Sequence, residues 1–435
     1  MSRAEDVNIT QLIDGRPFSR LATLVLVQCA IIILLDGTDS IAIGLTAPAI
    51  AKSIGVSTAS FGPIFAIGQA GVMIGALLLG PLADRFGRKS LIIGATAAFG
   101  AFTLLTAFCT SYEQLFLCRL LAGIGLGGVT PNAVALTSEY APKNSRSAVV
   151  ALMWAAFPLG GVCIGLMSSY LIPSFGWQSV LIVGGIVPLI VCAVALVGLP
   201  ESLAFLAMRG HAGPTIRTIL GRLAPDVPTT GDTRFTVNEE KLPGVPVNHL
   251  FSGGRAVTTL LLWVSCFTSF LILIFTISWI PALLRANAVS MAQVGFAIAL
   301  HSIGSVVGSS SVGRIMDRVG TYSVLITAFC ITAATTAALG FTVSSFWQLA
   351  VVIALSGCFA GASQAGVIAL TAVTYPVAVR STGVGWAFAA GRLGAVVGPL
   401  LGGVMLLGLA HRSYSYGGGS AGADRRGRHG AVAAP

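Results

Sequence analysis

Long apolar stretches separated by short polar turns recur along the whole of this chain. Leu21–Leu35 runs for fifteen residues without a charge, and comparable stretches follow at regular intervals. They fall at about 20–50, 60–83, 89–110, 114–138, 147–172, 177–199, 256–284, 290–313, 321–343, 346–374 and 382–410, eleven in all. A stretch of about 20 apolar residues is long enough to cross a bilayer. A backbone in lipid must satisfy its own hydrogen bonds, so each stretch is predicted to be a helix. The pattern therefore predicts an all-α polytopic membrane protein. The first stretch is preceded by Arg3, Arg16 and Arg20 and carries Ala-Pro-Ala at 47–49, as a cleavable signal would. Its apolar part is about twice the length of a signal core and contains two acids, so it reads as a retained span.

The polar positions divide the chain. Residues 200–255, rich in Pro, Gly and Thr, separate six spans (1–199) from the remainder (256–410) and read as a cytoplasmic connection. Short motifs recur across that divide. "GPLADRFG" at 80–87 and "GRIMDRVG" at 313–320 share Gly-x-x-x-Asp-Arg-x-Gly, with Asp84 and Asp317 offset by 233. Arg146 and Arg380, at the ends of "EYAPKNSR" and "TYPVAVR", are offset by 234, and Trp154 and Trp386 by 232. Three offsets that agree within two residues point to a tandem duplication with the same topology in both copies, hence an even number of spans in each.

Only 9% of the 435 residues are charged and 55% are hydrophobic, with a mean hydropathy of +0.89. A soluble surface needs about 25% charged residues. The net charge of +10 is unevenly placed: with the N-terminus in the cytoplasm, 17 Lys and Arg fall on inner segments and only Lys52 and Arg285 on outer loops. That is the positive-inside pattern of a multi-pass protein of the cytoplasmic (inner) membrane. It accounts for the charge without a nucleic-acid partner. The eight cysteines lie in or at the edge of apolar spans without a CxxC pair, and read as small buried hydrophobes, neither disulfides nor metal ligands.

A duplicated unit of six spans requires twelve, and eleven are visible. After Leu409 the chain continues "AHRSYSYGGGSAGADRRGRHGAVAAP", without a spanning run and with Arg412, Arg425, Arg426 and Arg428 on the outer side. The expectation is that this atypical tail, 411–435, replaces the last helix through truncation or a frameshift.

Parallel six-helix repeats are the architecture of the major facilitator transporters. Residues 80–89 resemble that family's signature between spans two and three. The resemblance implies that Asp84, with Arg85 and Arg88, clamps the cytoplasmic helix ends in the outward-facing state. Asp317 and Arg318 hold the same place in the second copy. "LLDGTDSIAIG" (34–44), "RLLAGIGLGGVTPNAVALTSEYAPKNSR" (119–146) and "YPVAVRSTGVGWAFAAGRLGAVVGPLLGG" (375–403) are similar to the aromatic acid:proton symporters, which import benzoate, hydroxybenzoates and protocatechuate. The resemblance covers residues 20 to about 410. It implies proton-coupled uptake of small aromatic carboxylates by alternating access, with protons as coupling ion and no other cofactor. A monomer is expected.

Four charges lie inside the spans: Asp36, Asp39, Arg119 and Arg392. Each costs roughly 2.5–3.5 kcal/mol at a helix centre, so such residues face the bundle interior and usually serve function. Asp36 and Asp39 are three apart and share a helix face. Removing a carboxylate from water favours its protonated form, and a second carboxylate nearby adds to this. The pair is therefore the candidate for proton coupling. The 233 offset places Ser269 and Ile272 opposite, so the pair is peculiar to the first copy. Arginine keeps its charge and grips carboxylates bidentately. Arg392 and Arg119 are both candidates for the substrate carboxylate or for the counter-ion of an Asp. Arg392 is favoured for substrate because it lies nearer mid-membrane. Glu139, Arg146 and Arg380 flank inner helix ends, as gate pairs or interfacial anchors. His301, within the eighth span, reads as a packing histidine or a relay member. Phe65, Phe157, Trp279, Phe359, Trp386 and Phe388 are available to an aromatic ring.

Other classes find little support. "GIGLGG" (123–128) lies in an apolar helix with no strand before it, so it is no dinucleotide loop. With no Walker A or metal-ligand cluster in the sequence, an enzyme is not expected. A drug exporter commonly carries Gly-x-x-x-Gly-Pro-x-x-Gly-Gly in span five. Here span five has "FPLGG" (157–161) and the full pattern occurs at Gly394–Gly403 instead. A proton-coupled exporter and a non-transporting membrane sensor remain the alternatives.

Overall fold

A computed structural model describes the backbone of residues 6–208, 213–225, 233–236, 247–252, 254–339, 345–375 and 380–423, and in the last segment the side chains of 382–406. The first half comprises α1 (Ile9–Asp14), α2 (Arg20–Ile54), α3 (Phe61–Phe86), α4 (Arg88–Thr106), α5 (Tyr112–Tyr140), α6 (Arg146–Phe175) and α7 (Trp177–Gly198). The connection contributes α8 (Leu203–Met208), α9 (Gly213–Leu223) and α10 (Asn248–Phe251). The second half comprises α11 (Ala256–Ala286), α12 (Met291–Val319), α13 (Thr321–Ala338), α14 (Phe346–Thr374) and α15 (Arg380–Ala423). Eleven of these helices are long and apolar enough to cross a membrane, among the described residues. The side chains of the tail 411–435 lie outside the described residues.

The repeated signature has a structural cause. Its last glycine, Gly87 in one copy and Gly320 in the other, sits at φ +94° and +103°. Each is the single residue between two antiparallel spans, closing the preceding helix with a bond to the carbonyl four residues back. A side chain is strained in that conformation, so glycine makes the tightest possible turn. Elsewhere ordinary capping sets the ends: Ser19 accepts from Ala22 N–H to start α2, and Ser290 with Gln293 forms a capping box on α12.

Packing repeats with the sequence. In the first half α3 packs on α5 and α2 on α6; in the second α12 packs on α14 and α11 on α15. The halves meet through α6 on α12, α3 on α15 and α2 on α11, as a pseudo-two-fold axis requires. α4 is covered by both α5 and α7, whereas its counterpart α13 packs chiefly on α14 among the described residues.

The two ends of the bundle differ. At the end away from the basic loops, here the far end, one apolar cluster draws on both halves, including Ile41, Phe61, Phe65, Ile164, Ile277, Trp279, Val294 and Ile353. At the basic end the clusters belong to one half each. The halves are therefore sealed at the far end, and the cleft between them faces the basic end.

The connection is more than a tether. Ile216, Ile219, Leu220 and Leu223 of α9 join the apolar cluster of the first half, together with Ile9 and Ile13 of α1. β2 (Arg234–Thr236) pairs in parallel with β1 (Asp6–Asn8). Burial of the α9 apolar face fastens this part of the connection to the first half.

Candidate functional site

α2 carries both acids as one unbroken helix, buried throughout its middle. At Gly37 it crosses α6 so closely that a Cβ there would lie 2.8 Å from the Phe157 carbonyl carbon. Glycine thus serves close approach, and no unwinding accompanies it. The crossing fixes the rotation of α2 and points its two carboxylates to different partners.

Asp39 turns to α4 and α5. Thr103 donates to its Oδ1, and Arg119 Nη1 lies 3.4 Å from Oδ2. Arg119 Nη2 donates to Thr103 Oγ1 at 3.2 Å and to Thr106 Oγ1 at 2.7 Å. Asp39 is 2% exposed and Arg119 4%. Of the two arginines, Arg119 is thus the one held by an Asp. Its Nε has no hydrogen-bond partner, and it borders a small cavity with Asp39, Ser40, Phe65, Gln69 and Ser278.

Asp36 has hydroxyl partners instead. Thr130 of α5 donates to Oδ2 at 2.7 Å and Ser40 to Oδ1 at 3.4 Å. Across the interface, Arg392 of α15 interacts with Asp36 electrostatically, but the two form no ion pair. The Arg392 guanidinium sits 5.9 Å over the ring of Phe270. Thr103, Thr106 and Thr130 escape sequence reading because threonine is common in spans, and only the fold shows which hydroxyls face a carboxylate.

The remaining candidates divide. At the basic end Arg88 and Glu139 form an ion pair. Arg146 pairs with Asp14 of α1 at 2.9 Å. Asp84 and Asp317 are exposed and engage no partner among the described residues, and Arg318 none either. Arg85 lies over Phe86. The side chain of Arg380 lies outside the described residues. His301 is buried, with Nε2 unpartnered. A hub that sequence reading missed is Glu201. Its Oε1 accepts from Lys89 N–H at 3.0 Å, its carbonyl accepts from Tyr140 Oη at 2.7 Å, and the neighbouring Ser202 donates to Glu139 at 2.6 Å. The signal available was only "PES" directly after an apolar run.

The Major Facilitator Superfamily model matches residues 29–285 and 261–416. The chain belongs to that superfamily. Like its relatives, this facilitator is a transporter and not an enzyme. It is 37% identical over 407 residues to the 4-hydroxybenzoate transporter PcaK of Pseudomonas putida, covering 93% of this chain and 91% of the relative. It is likewise 37% identical over 402 residues to the gallate transporter of Pseudomonas putida, covering 92% and 89%. Similarity to the benzoate transport protein of Acinetobacter baylyi is 32% over 413 residues, covering 93% and 88%. Among solved structures, a bacterial homologue of the human lysosomal transporter Spinster superposes with TM-score 0.68 at 18% identity, covering 92% of this chain and 85% of that one. The D-xylose–proton symporter superposes with TM-score 0.65 at 16% identity, covering 87% and 89%. Those likenesses carry the fold of the facilitator.

Proposed function

We propose that this facilitator takes up small aromatic carboxylates across the cytoplasmic membrane together with protons. The N-terminus and the basic end face the cytoplasm, and the state described here is inward-facing. The substrate class is supported by relatives named for 4-hydroxybenzoate, gallate and benzoate. Orientation is supported by the basic loops. The protein acts as a monomer, and protons are its only coupling agent.

One observation carries the coupling: Asp36 and Arg392 interact electrostatically across the two halves without forming an ion pair. Arg119 is occupied by Asp39, which leaves Arg392 to grip an incoming carboxylate. Once the substrate neutralises Arg392, Asp36 is left buried without a counter-charge and gains by taking a proton. Substrate and proton then bind with positive linkage, each favouring the other. Asp39 and Arg119 remain neutralised by one another throughout.

Labelled 4-hydroxybenzoate and proteoliposomes with an acidic exterior test this. Wild type should accumulate substrate above equilibrium, and substrate affinity should fall as pH rises. Asp36→Asn should abolish accumulation and make affinity independent of pH. Accumulation by Asp36→Asn would end the coupling role. An outward-directed flux driven by the same gradient would replace uptake with export.

A further inference from the structure

The carboxylate end of an aromatic acid has a partner in Arg392; its ring also needs one. Three aromatic side chains form a connected set beside that arginine. Phe270 of α11, 6% exposed, carries the Arg392 guanidinium over its face at 5.9 Å. Its edge meets Phe388 of α15, with ring centroids 6.1 Å apart and planes at 72°. Phe388 in turn stacks on Trp154 of α6, centroids 5.7 Å apart and planes at 26°.

That last contact crosses between the halves. α6 and α15 are not among the closely packed helix pairs, so the two rings reach over a gap that the backbones leave open. Trp154 is 41% exposed, and its stack on Phe388 of the other half sets its ring between the halves, on the side of the cleft that opens toward the basic end. Both rings lie eight residues into their helices, counted from Arg146 and Arg380, so they stand at one depth, about 12 Å from the helix starts. Phe388 is four residues, about 6 Å, below Arg392 on the same helix face, a separation on the scale of a benzoate from carboxylate to para position. Other aromatic contacts are placed differently. Phe65–Trp279 also joins the halves, but edge-on at 82° and within the sealed far end. Trp263 and Trp386 stack within the second half alone.

We infer that Trp154 and Phe388 form the slot for the substrate ring. The carboxylate docks on Arg392, and the ring inserts at the Trp154–Phe388 stack in place of their direct contact. Phe270 holds both the guanidinium and the Phe388 ring in position from beneath. Because one wall belongs to each half, a bound ring draws the halves together at the basic end, where the apolar clusters among the described residues otherwise belong to one half each. The slot selects flat π-systems over saturated rings of equal size, because aromatic faces attract each other beyond the area they bury. This rests on the substrate class proposed above.

Equilibrium binding of benzoate and of cyclohexanecarboxylate to purified full-length protein separates the two ideas. Wild type should bind benzoate more tightly than the saturated acid. Trp154→Leu and Phe388→Leu should each lower that preference about fivefold, the size of one aromatic pairing, while Trp154→Phe and Phe388→Tyr retain it. Leucine variants that keep the wild-type ratio would overturn the slot while leaving the substrate class standing. Wild type that binds neither acid would overturn the substrate class and the slot with it. Should a leucine variant fail to fold, the ring-retaining variants still decide: loss of the preference in both would sink the proposal.

Discussion

Asp39 and Arg119 are both buried and touch, whereas buried Asp36 and half-buried Arg392 do not form an ion pair. A buried charge whose partner is removed costs about 3–5 kcal/mol, whereas removing both partners costs far less. Arg119→Gln is therefore expected to lower the thermal stability of the detergent-solubilised protein sharply. The double variant Asp39→Asn, Arg119→Gln should melt nearer to wild type than the single one. Arg392 has no ion pair to lose, so its replacement should be read in binding. Lysine keeps the charge but not the planar fork, and Arg392→Lys should raise the KM for 4-hydroxybenzoate about tenfold or more, the scale of a lost charged hydrogen bond. An unchanged KM would remove Arg392 from the carboxylate site. The sequence left either role open to either arginine and favoured Arg392 for substrate on depth alone. The fold resolves the choice by placing α4 beside α5, so that Thr103, Thr106 and Asp39 surround Arg119.

At the scale of elements, the basic end is held by a link between α4 and the residues just after α7. Glu201 supplies an acceptor to the first turn of α4 at Lys89 N–H, where helix N-terminal donors otherwise lack partners. A carboxylate there also meets the positive end of the helix dipole. Lys89 Nζ donates to the Leu196 carbonyl at 2.8 Å, tying α4 to the last turn of α7 as well. Glu201→Ala should therefore cost roughly 1 kcal/mol, the usual value of an N-terminal cap. A lowered unfolding midpoint with 4-hydroxybenzoate binding retained is the expected reading, and an unchanged midpoint would show that the contact contributes nothing. The connection illustrates how an element changes meaning once folded. Composition marks 200–255 as a polar linker, yet α9 buries four apolar residues against the first half. An 11-residue amphipathic helix is short for an isolated one, and it is the receptive cluster around Ile9 and Ile13 that secures it.

The whole molecule is defined by where its halves touch. At the far end Gly62 of α3 and Gly403 of α15 approach so closely that a Cβ on either would lie 3.3 Å from the other's Cα. Alternating access requires this contact to open. Gly62→Cys with Gly403→Cys should crosslink under mild oxidation, since disulfides need Cβ atoms about 3.5–4.5 Å apart. The crosslinked protein should lose uptake, and reductant should restore it. Uptake that survives complete crosslinking would mean that this closure does not open during transport. The eleven spans found among the described residues, their order and the repeated motifs were legible in the sequence, because lipid forces a span to be long, apolar and helical regardless of its neighbours. The positions of Asp36, Asp39, Arg119 and Arg392 were legible for the same reason: a charge stands out where lipid penalises it. What the sequence by itself determined is therefore the architecture and the identity of its costly residues. Which charges pair, which aromatic rings meet across the cleft and which end is sealed were decided only by tertiary structure. Those depend on helix rotation and on contacts between residues as distant as Asp36 and Arg392 or Trp154 and Phe388, which no local periodicity encodes.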